Sequence, residues 1–292
     1  LIDQEGGRVA RLQPPHWPLF PPGKVFADAW GQAPATAMAA ARANAEAIGT
    51  VLADLGVTVD CLPVVDVPVP GAHDIIGDRA LGTDPLAVAA LGRAVLDGLQ
   101  ASGTVGVVKH SPGHGRATAD SHLDLPVVTA SAEELETDLA PFIRLADAPM
   151  AMTAHVLYTA WDRDLCASLS SAIIGGIIRG RVGFEGLLMS DDLGMQALGR
   201  QPGGNSMAGR ALGVLAAGCD VALHCSGDFA EMAEISAALP EMAEPALGRL
   251  ERAMAWATAH GDRRWRGGEA GAEVPALDAL LARRDALLAA AA

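Results

Sequence analysis

Short apolar runs alternate along the chain with longer segments of helical composition. The apolar runs are unbroken, which is typical of strands buried on both faces of a parallel sheet. Predicted strands occupy residues 57–65, 104–109, 150–155, 186–190 and 219–224, and Leu1-Ile2 resembles the end of a further strand. Predicted helices occupy residues 36–55, 84–100, 131–146, 171–179 and 207–217, and from Phe229 onward the chain is expected to be helix with loops. Ser131 followed three residues later by Glu134 is a capping-box pattern for the third of these helices.

Polar residues follow the predicted strands at five of their carboxyl ends. The alternation itself allows a closed (β/α)8 barrel or an open doubly wound sheet. An open sheet collects functional residues at one crevice, whereas a barrel collects them from many strand ends around its mouth. The residues concerned are Asp3, Asp66, Lys109 with His110, His155, and Asp191. The sequence therefore predicts an α/β fold with a single (β/α)8 TIM-type barrel.

The number of predicted strands limits this barrel. Only six strands are predicted, including the fragment at Leu1, so we expect the first strand–helix unit to be lacking from this chain. One catalytic barrel domain is predicted over residues 1–292, with the functional motifs within 1–225 and C-terminal helices over 226–292.

The composition is that of a globular protein that does not bind polyanions. The 292 residues include 21 Lys and Arg against 35 Asp and Glu, a formal net charge of −14. No stretch clusters Lys and Arg as nucleic acid or an anionic membrane requires, and no uncharged apolar run reaches the roughly 18 residues of a transmembrane helix. The four cysteines lack metal-ligand spacing and are too few for a disulfide framework. We expect a cytoplasmic monomer without nucleic-acid or membrane partners.

The densest group of reactive side chains lies in the predicted loop that begins at the end of the second full strand. Residues 109–124 contain three histidines, two aspartates and one of only two lysines in the chain, namely His110, His114, His122, Asp120, Asp124 and Lys109. Such a group can be a solvated loop, a metal site or a catalytic loop. The spacing matches neither a helical His-Glu-x-x-His pattern nor a Cys/His set, and an ammonium group repels a metal cation. The sequence therefore predicts a catalytic loop without a metal or another cofactor.

A second candidate site follows the apolar run at residues 186–190. Asp191 comes directly after this run, so its carboxylate is expected to project into the barrel mouth from a rigid strand end. Asp192 is interpreted instead as a cap of the next helix, a role that Asp often fills.

Several separated motifs together resemble family 3 glycoside hydrolases. The motifs are Asp3-Gln4-Glu5-Gly6-Gly7-Arg8-Val9, Arg79-Ala80-Leu81-Gly82, Lys109-His110-Ser111-Pro112-Gly113-His114-Gly115 with Asp120-Ser121-His122, Met152-Thr153-Ala154-His155, and Ser190-Asp191-Asp192-Leu193. The sequence is similar to the compact bacterial β-N-acetylhexosaminidases that remove N-acetylglucosamine during cell-wall recycling. It departs from their pattern at Ser111, where Phe is usual, and at Gly194, where Ser is frequent; both positions flank functional residues.

The resemblance implies roles for individual residues. It implies that Asp191 is the nucleophile of a retaining mechanism with a covalent intermediate, and that His122 is the acid/base with Asp120 as its partner. An imidazole suits this role because its ordinary pKa lies near pH 6.5. The implied sugar-binding residues are Asp3, Arg79, Lys109 and His110. His114 and His155 stay open between structural and substrate-contacting roles. We further hypothesise that Gly113 and Gly115 let the loop with His122 swing over bound sugar.

The predicted function is therefore an exo-acting retaining β-N-acetylglucosaminidase. Its expected substrates are small carbohydrates, namely soluble muropeptides such as N-acetylglucosaminyl-anhydro-N-acetylmuramic acid. Three alternatives remain: a β-glucosidase or broad β-hexosaminidase of the same family, an N-acetylglucosaminide phosphorylase, and a non-catalytic carbohydrate-binding protein.

Overall fold

The secondary structure alternates between strands and helices, as the sequence predicts. The computed structural model describes residues 1–265 and 275–291, and the side chains of 1–257 and 275–291. The strands are β1 (Gln4–Gly6), β2 (Val9–Ala10), β3 (Val59–Asp60), β4 (Val105–Ser111), β5 (Val127–Val128), β6 (Met150–Thr153), β7 (Leu157–Tyr158), β8 (Leu187–Asp192) and β9 (Val221–Leu223). The α-helices are α1 (Gly23–Trp30), α2 (Pro34–Asp54), α3 (Pro85–Ala101), α4 (Ala132–Arg144), α5 (Met207–Ala217), α6 (Phe229–Ala238), α7 (Glu244–Trp265) and α8 (Leu277–Ala290).

The central sheet is parallel and forms half of a barrel. Its strand order is β3-β4-β6-β8-β9, and Ile2 adds a parallel bridge to Asp60 beyond β3. The six predicted strand positions are thus all present as parallel segments. The closed (β/α)8 barrel is not confirmed, because within residues 1–265 and 275–291 no strand joins the outer edge of β9 to the edge at Ile2.

Each face of the sheet packs against helices. On β6 and β8, Ala151 and Leu188 belong to the large core that includes residues of α2 and α3. The alternate residues of these strands, such as Met150 and Leu187, pack with Ala253 of α7. This alternation explains the unbroken apolar runs, because side chains on both faces of each strand are buried.

Local sequence signals set the helix ends. The Ser131 hydroxyl accepts the Glu134 N–H, and the Glu134 carboxylate accepts the Ser131 N–H, which confirms the predicted capping box. Helix α5 begins after Ser206, whose hydroxyl accepts the Gly209 N–H, and ends at Gly218 with φ of 116°. A left-handed residue at this position is accessible to glycine at little cost.

Three differences from the sequence prediction concern short or irregular elements. The helix predicted at 171–179 is a π-helix at Ile173–Arg181. The strand predicted at 57–65 is reduced to the two residues of β3 and an isolated bridge between Val64 and Lys109. The elements β1, β2, β5, β7 and α1 were not predicted. None of the described helices combines the length and the apolar character needed to cross a membrane.

Candidate active site

A cavity of about 370 Å³ opens at the carboxyl ends of the parallel strands. Six of the seven predicted site residues line it: Asp3, Arg79, Lys109, His110, His122 and Asp191. The seventh, Asp120, contacts His122 directly. The structure thus brings together residues that are separated by up to 188 positions in the sequence, as expected for strand ends that meet at one edge of a sheet.

Asp191 lies at the end of β8 and is half-buried. Its Oδ1 accepts the N–H of Asp192 at 2.8 Å, and its carbonyl accepts the Ser190 hydroxyl at 2.7 Å. Burial alone raises the pKa of Asp191, but the neighbouring His110, His155 and Lys109 lower it below the ordinary Asp value. The carboxylate is therefore ionised and available as a nucleophile.

Asp192 has a structural role, although it does not cap a helix. Its Oδ1 accepts the N–H of Gly194 at 3.0 Å and that of Cys225 at 2.9 Å. These bonds fix the turn after β8 and tie it to the segment after β9. The carboxylate of Asp192 therefore holds the backbone beside Asp191 in place.

His155 is fully buried beneath this strand end. Its Nδ1 lies 2.7 Å from the Ser168 hydroxyl and its Nε2 lies 3.1 Å from the Asp192 carbonyl. Burial lowers the pKa of His155 in spite of the nearby Asp191. Both ring nitrogens are thus occupied by protein partners, which favours the structural role over contact with substrate.

His122 has a very different environment from Asp191. Its side chain is 60% exposed, and its Nδ1 lies 2.8 Å from Asp120 Oδ1, which also accepts the His122 N–H at 2.9 Å. Burial alone raises the pKa of Asp120, but the hydrogen bonds from His122 outweigh burial and lower this pKa below the ordinary Asp value. The Asp120 carboxylate therefore orients the imidazole and leaves Nε2 as the nitrogen available for proton transfer.

The segment that carries this pair is tied to the segment after β8. The Ser121 carbonyl accepts the Ala197 N–H at 3.2 Å, and the His122 carbonyl accepts the Gln196 N–H at 3.3 Å. The Ser121 hydroxyl lies 3.1 Å from His114 Nε2. Burial and the proximity of His110 lower the pKa of His114 to about 4, so this imidazole is neutral at physiological pH. His114 positions the loop through Ser121.

Two cations with largely buried side chains, Lys109 and Arg79, also line the cavity. Lys109 Nζ lies 3.0 Å from Asp3 Oδ1 and 2.6 Å from Glu5 Oε1. Arg79 meets Glu5 in a two-pronged contact, with Nε to Oε2 and Nη2 to Oε1 both at 2.8 Å. Glu5 is part of the motif Asp3-Gln4-Glu5, but no role was predicted for it from the sequence. Charge balance was the available signal, because two cations placed beside Asp3 require a second counter-charge when they are buried.

His110 is oriented by a buried aspartate. Asp66 Oδ2 lies 2.7 Å from His110 Nδ1, while Asp66 Oδ1 accepts the N–H groups of His110 at 3.2 Å and His114 at 2.6 Å. Burial raises the pKa of Asp66, but His110 and His114 lower it below the ordinary value. Because Nδ1 of His110 contacts Asp66, Nε2 is the ring nitrogen that remains available to a ligand. Among the described residues, no three His, Cys, Asp or Glu side chains are arranged to hold a metal ion.

The match with known proteins agrees with this arrangement. Residues 1–252 match the Glycosyl hydrolase family 3 N terminal domain. The chain belongs to glycosyl hydrolase family 3. The family predicted from the motifs is thereby confirmed, and the protein is a glycoside hydrolase.

Relatives of this chain carry consistent names. The Beta-hexosaminidase of Bordetella avium (strain 197N) is 36% identical over 256 residues, or 87% of this chain and 71% of the relative. The Beta-hexosaminidase of Alkalilimnicola ehrlichii is 40% identical over 228 residues, or 77% of this chain and 64% of the relative. The chain thus matches about two thirds of the length of these relatives. Among solved structures, the chain is similar to NagZ from Neisseria gonorrhoeae in complex with N-trifluoroacetyl-D-glucosamine. The two sequences are 28% identical, and the superposition covers 99% of this chain and 80% of the NagZ chain with a TM-score of 0.79.

Proposed function

We propose that this protein is an exo-acting, retaining β-N-acetylglucosaminidase. One observation carries the proposal: an ionised Asp191 and the Asp120–His122 pair lie at the same strand-end cavity, which is also lined by the largely buried Lys109 and Arg79. The names of the relatives support the N-acetylhexosamine unit, and so does the glucosamine derivative bound to the similar NagZ structure. The motif resemblance supports soluble muropeptides, including N-acetylglucosaminyl-anhydro-N-acetylmuramic acid, as the substrates.

In the proposed first step, Asp191 attacks the anomeric carbon of the sugar. Its Oδ1 is held by the Asp192 N–H, so we assign the attack to Oδ2. The new bond joins Oδ2 to the anomeric carbon, and the bond from this carbon to the leaving oxygen breaks. The leaving oxygen takes the electron pair of that bond and receives a proton from Nε2 of His122. The products are a glycosyl ester on Asp191 and a free sugar alcohol.

In the proposed second step, the ester is hydrolysed. His122, now neutral, removes a proton from water, and the water oxygen attacks the anomeric carbon while the bond to Asp191 breaks. Two inversions at this carbon give net retention. The Asp120 carboxylate stabilises the imidazolium that forms at each turn of the cycle.

The glycone is assigned to the opposite wall of the cavity. Asp3, Arg79, Lys109 and His110 are proposed to hydrogen-bond the hydroxyls of the non-reducing sugar. We further propose that the half-barrel sheet belongs to a (β/α)8-type barrel, that residues 1–292 form one catalytic domain, and that the protein is a cytoplasmic monomer.

Product analysis tests this function. N-acetylglucosaminyl-anhydro-N-acetylmuramic acid is incubated with the protein and followed by proton NMR, with and without inorganic phosphate. We expect β-N-acetylglucosamine as the first product under both conditions. A sugar 1-phosphate that appears only with phosphate identifies the phosphorylase alternative, an α-anomer as first product excludes retention, and binding without turnover identifies a carbohydrate-binding protein.

A further inference from the structure

Glu5 is a buried carboxylate that takes no part in the two proposed chemical steps. Its side chain is 4% exposed, and both of its oxygens face cations: Oε1 contacts Lys109 and Arg79, and Oε2 contacts Arg79. Burial alone raises the pKa of Glu5, but Lys109 and Arg79 lower it to about 2. Glu5 is therefore ionised over the whole physiological pH range.

Counting donors shows what Glu5 does to the two cations. An ammonium group has three N–H donors, and Lys109 directs one toward Glu5 and one toward Asp3. A guanidinium has five, and Arg79 gives two to Glu5 and one to the Ile75 carbonyl at 3.1 Å. Among the bonds of the described residues, one donor remains on Lys109 and two remain on Arg79. Both side chains line the cavity that holds Asp191.

We infer that Glu5 is a positioning residue for glycone recognition, since it fixes Arg79 and Lys109 so that their remaining donors meet the sugar hydroxyls. This inference rests on the proposed function, because it assumes that the ligand of the cavity is a sugar. The bidentate contact with Glu5 fixes the plane of the Arg79 guanidinium. Because Glu5 Oε1 contacts both cations, it also fixes the distance between the guanidinium and the Lys109 ammonium. Without this anchor, either cation must be ordered anew each time that a sugar binds.

Glu5 also determines which carboxylates the Lys109 ammonium contacts. Lys109 acts electrostatically on Asp191, yet its hydrogen bonds go to Asp3 and Glu5. The two acidic side chains balance the two cations, so the ammonium is not drawn into a direct ion pair with the nucleophile. A Glu5→Gln substitution leaves one positive charge in excess, and the ammonium is then free to turn toward Asp191.

Steady-state kinetics with an aryl β-N-acetylglucosaminide test the inference. Glu5→Gln is expected to lower kcat/KM by about 10²-fold or more, because it removes the charge-assisted contacts of Glu5 with Lys109 and Arg79. Most of this loss is expected in KM, and the Kd for N-acetylglucosamine, measured by calorimetry, should rise in parallel. Glu5→Asp keeps the charge and is expected to recover a substantial part of the loss. The control is Glu241→Gln, an exposed glutamate in the segment between α6 and α7, which should match wild type.

A rescue experiment separates positioning from a purely structural role. In Glu5→Ala, formate at millimolar concentration is expected to restore activity severalfold, whereas chloride at equal ionic strength is not. Thermal unfolding of every variant is recorded in parallel. If Glu5→Gln does not fold, the activity of Glu5→Ala with and without formate decides the question.

The outcomes distinguish this inference from the proposed function. Wild-type activity together with unchanged KM and Kd in a folded Glu5→Gln variant, or in a folded Glu5→Ala variant without formate, overturns the role of Glu5 and leaves the function intact. Wild type that binds N-acetylglucosamine without cleaving the substrate overturns the function, while the Kd values of the variants still test Glu5. Wild type that neither cleaves nor binds overturns both.

Discussion

At the scale of single residues, the two proposed catalytic groups lie in contrasting surroundings. Asp191 is supported by a strand end and by bonds from Ser190 and Asp192, and its pKa is held low in spite of burial. His122 is largely exposed and depends on Asp120 for its orientation. A nucleophile needs a fixed position and an ionised state, whereas a proton donor and acceptor needs a pKa near the operating pH.

Substitution of these two residues should affect different substrates differently. Asp191→Ala is expected to lower kcat by about 10³-fold or more on every substrate, because the covalent intermediate cannot form. His122→Ala is expected to lose more activity on natural disaccharides than on activated aryl glycosides, because only the poorer leaving groups need protonation. Chromophore release and disaccharide cleavage are measured for wild type and both variants. Equal activity of Asp191→Ala and wild type contradicts the nucleophile assignment, and equal losses on both substrate types contradict the acid role of His122.

The sequence predicted the cavity residues better than the partners that hold them. Asp191 and His122, which both line the cavity, were predicted as site residues because reactive side chains at strand ends and in family motifs are visible in a linear sequence. The contact of Glu5 with Arg79 spans 74 positions and that of Asp3 with Lys109 spans 106. Such pairings depend on how the β1–β2 hairpin folds over the sheet, which no local pattern specifies.

At the scale of elements, the loop that carries His122 is anchored to α4. Arg116 Nε donates to Asp138 Oδ2 at 2.7 Å, and its Nη2 donates to the Glu134 carbonyl at 3.1 Å. The Tyr158 hydroxyl holds the Gly113 carbonyl at 2.8 Å. The beginning of the loop is therefore fixed, so a swing of the kind hypothesised from Gly113 and Gly115 is expected to be confined to the residues around Asp120 and His122. Such a swing must break the bonds of the Ser121 and His122 carbonyls to the segment after β8.

The buried Asp138 should give this anchor a measurable dependence on pH. Burial raises the pKa of Asp138 to about 6 in spite of the contact with Arg116. Between the ordinary pKa of an unfolded Asp, about 3.9, and this value, the native state binds a proton that the unfolded chain releases. Asp138 therefore contributes less to stability as the pH rises through this window, by up to about 3 kcal/mol, and its contribution is constant above it.

Urea unfolding of wild type and Asp138→Asn at several pH values measures this effect. The free energy of unfolding of wild type minus that of Asp138→Asn is expected to fall between about pH 4 and pH 6.5 and then to level off. Asp97→Asn, at an exposed aspartate of α3, serves as the control. A difference that stays constant with pH, or that increases, contradicts the raised pKa of Asp138.

The order of the major elements was predictable, but their irregular parts were not. The helix at Ala132–Arg144 follows from its capping box and its amphipathic pattern. The hairpin was missed because strands of three and two residues give no periodicity to detect. Helix α1 has only eight residues and no side chain that caps its N-terminus, so no local signal marks it. The π-helix at Ile173–Arg181 has the same composition as an α-helix, so only its hydrogen bonds distinguish it.

At the scale of the whole molecule, α7 packs on one face of the sheet, namely the face that would point inward if the sheet closed into a barrel. Ala253 is 1% exposed and packs with strand residues such as Val107, Met150 and Leu187. Helices were predicted at 226–292, of which residues 266–274 and 292 lie outside the described part of the chain. The sequence did not assign them to a face of the sheet, because the pattern of a helix shows which of its sides is apolar but not which surface that side packs against. Likewise, polar residues at five strand ends indicated a barrel mouth without showing whether the sheet closes.

A charge placed under α7 should destabilise the protein without altering the active-site chemistry directly. Ala253→Arg is expected to lower the free energy of unfolding by about 3 kcal/mol or more, since it overpacks the core and buries an unpaired charge. Ala255→Arg, at an exposed position of the same helix, controls for a charge added to α7. Thermal unfolding of both variants and wild type is measured at equal protein concentration. Equal melting temperatures of the two variants contradict the packing of α7 on the sheet.

The contrast between the buried cations and the exposed His122 has a consequence for substrate range. On the proposed glycone side, a lost hydroxyl leaves donors of the largely buried Lys109 and Arg79 unpaired, which is unfavourable. On the leaving-group side, the proton donor stands in water on a loop and contacts one oxygen only. For the proposed muropeptide substrates, we therefore expect strict selection of the sugar on one side of the scissile bond and tolerance on the other, so that fragments with peptide chains of different lengths are cleaved at similar rates.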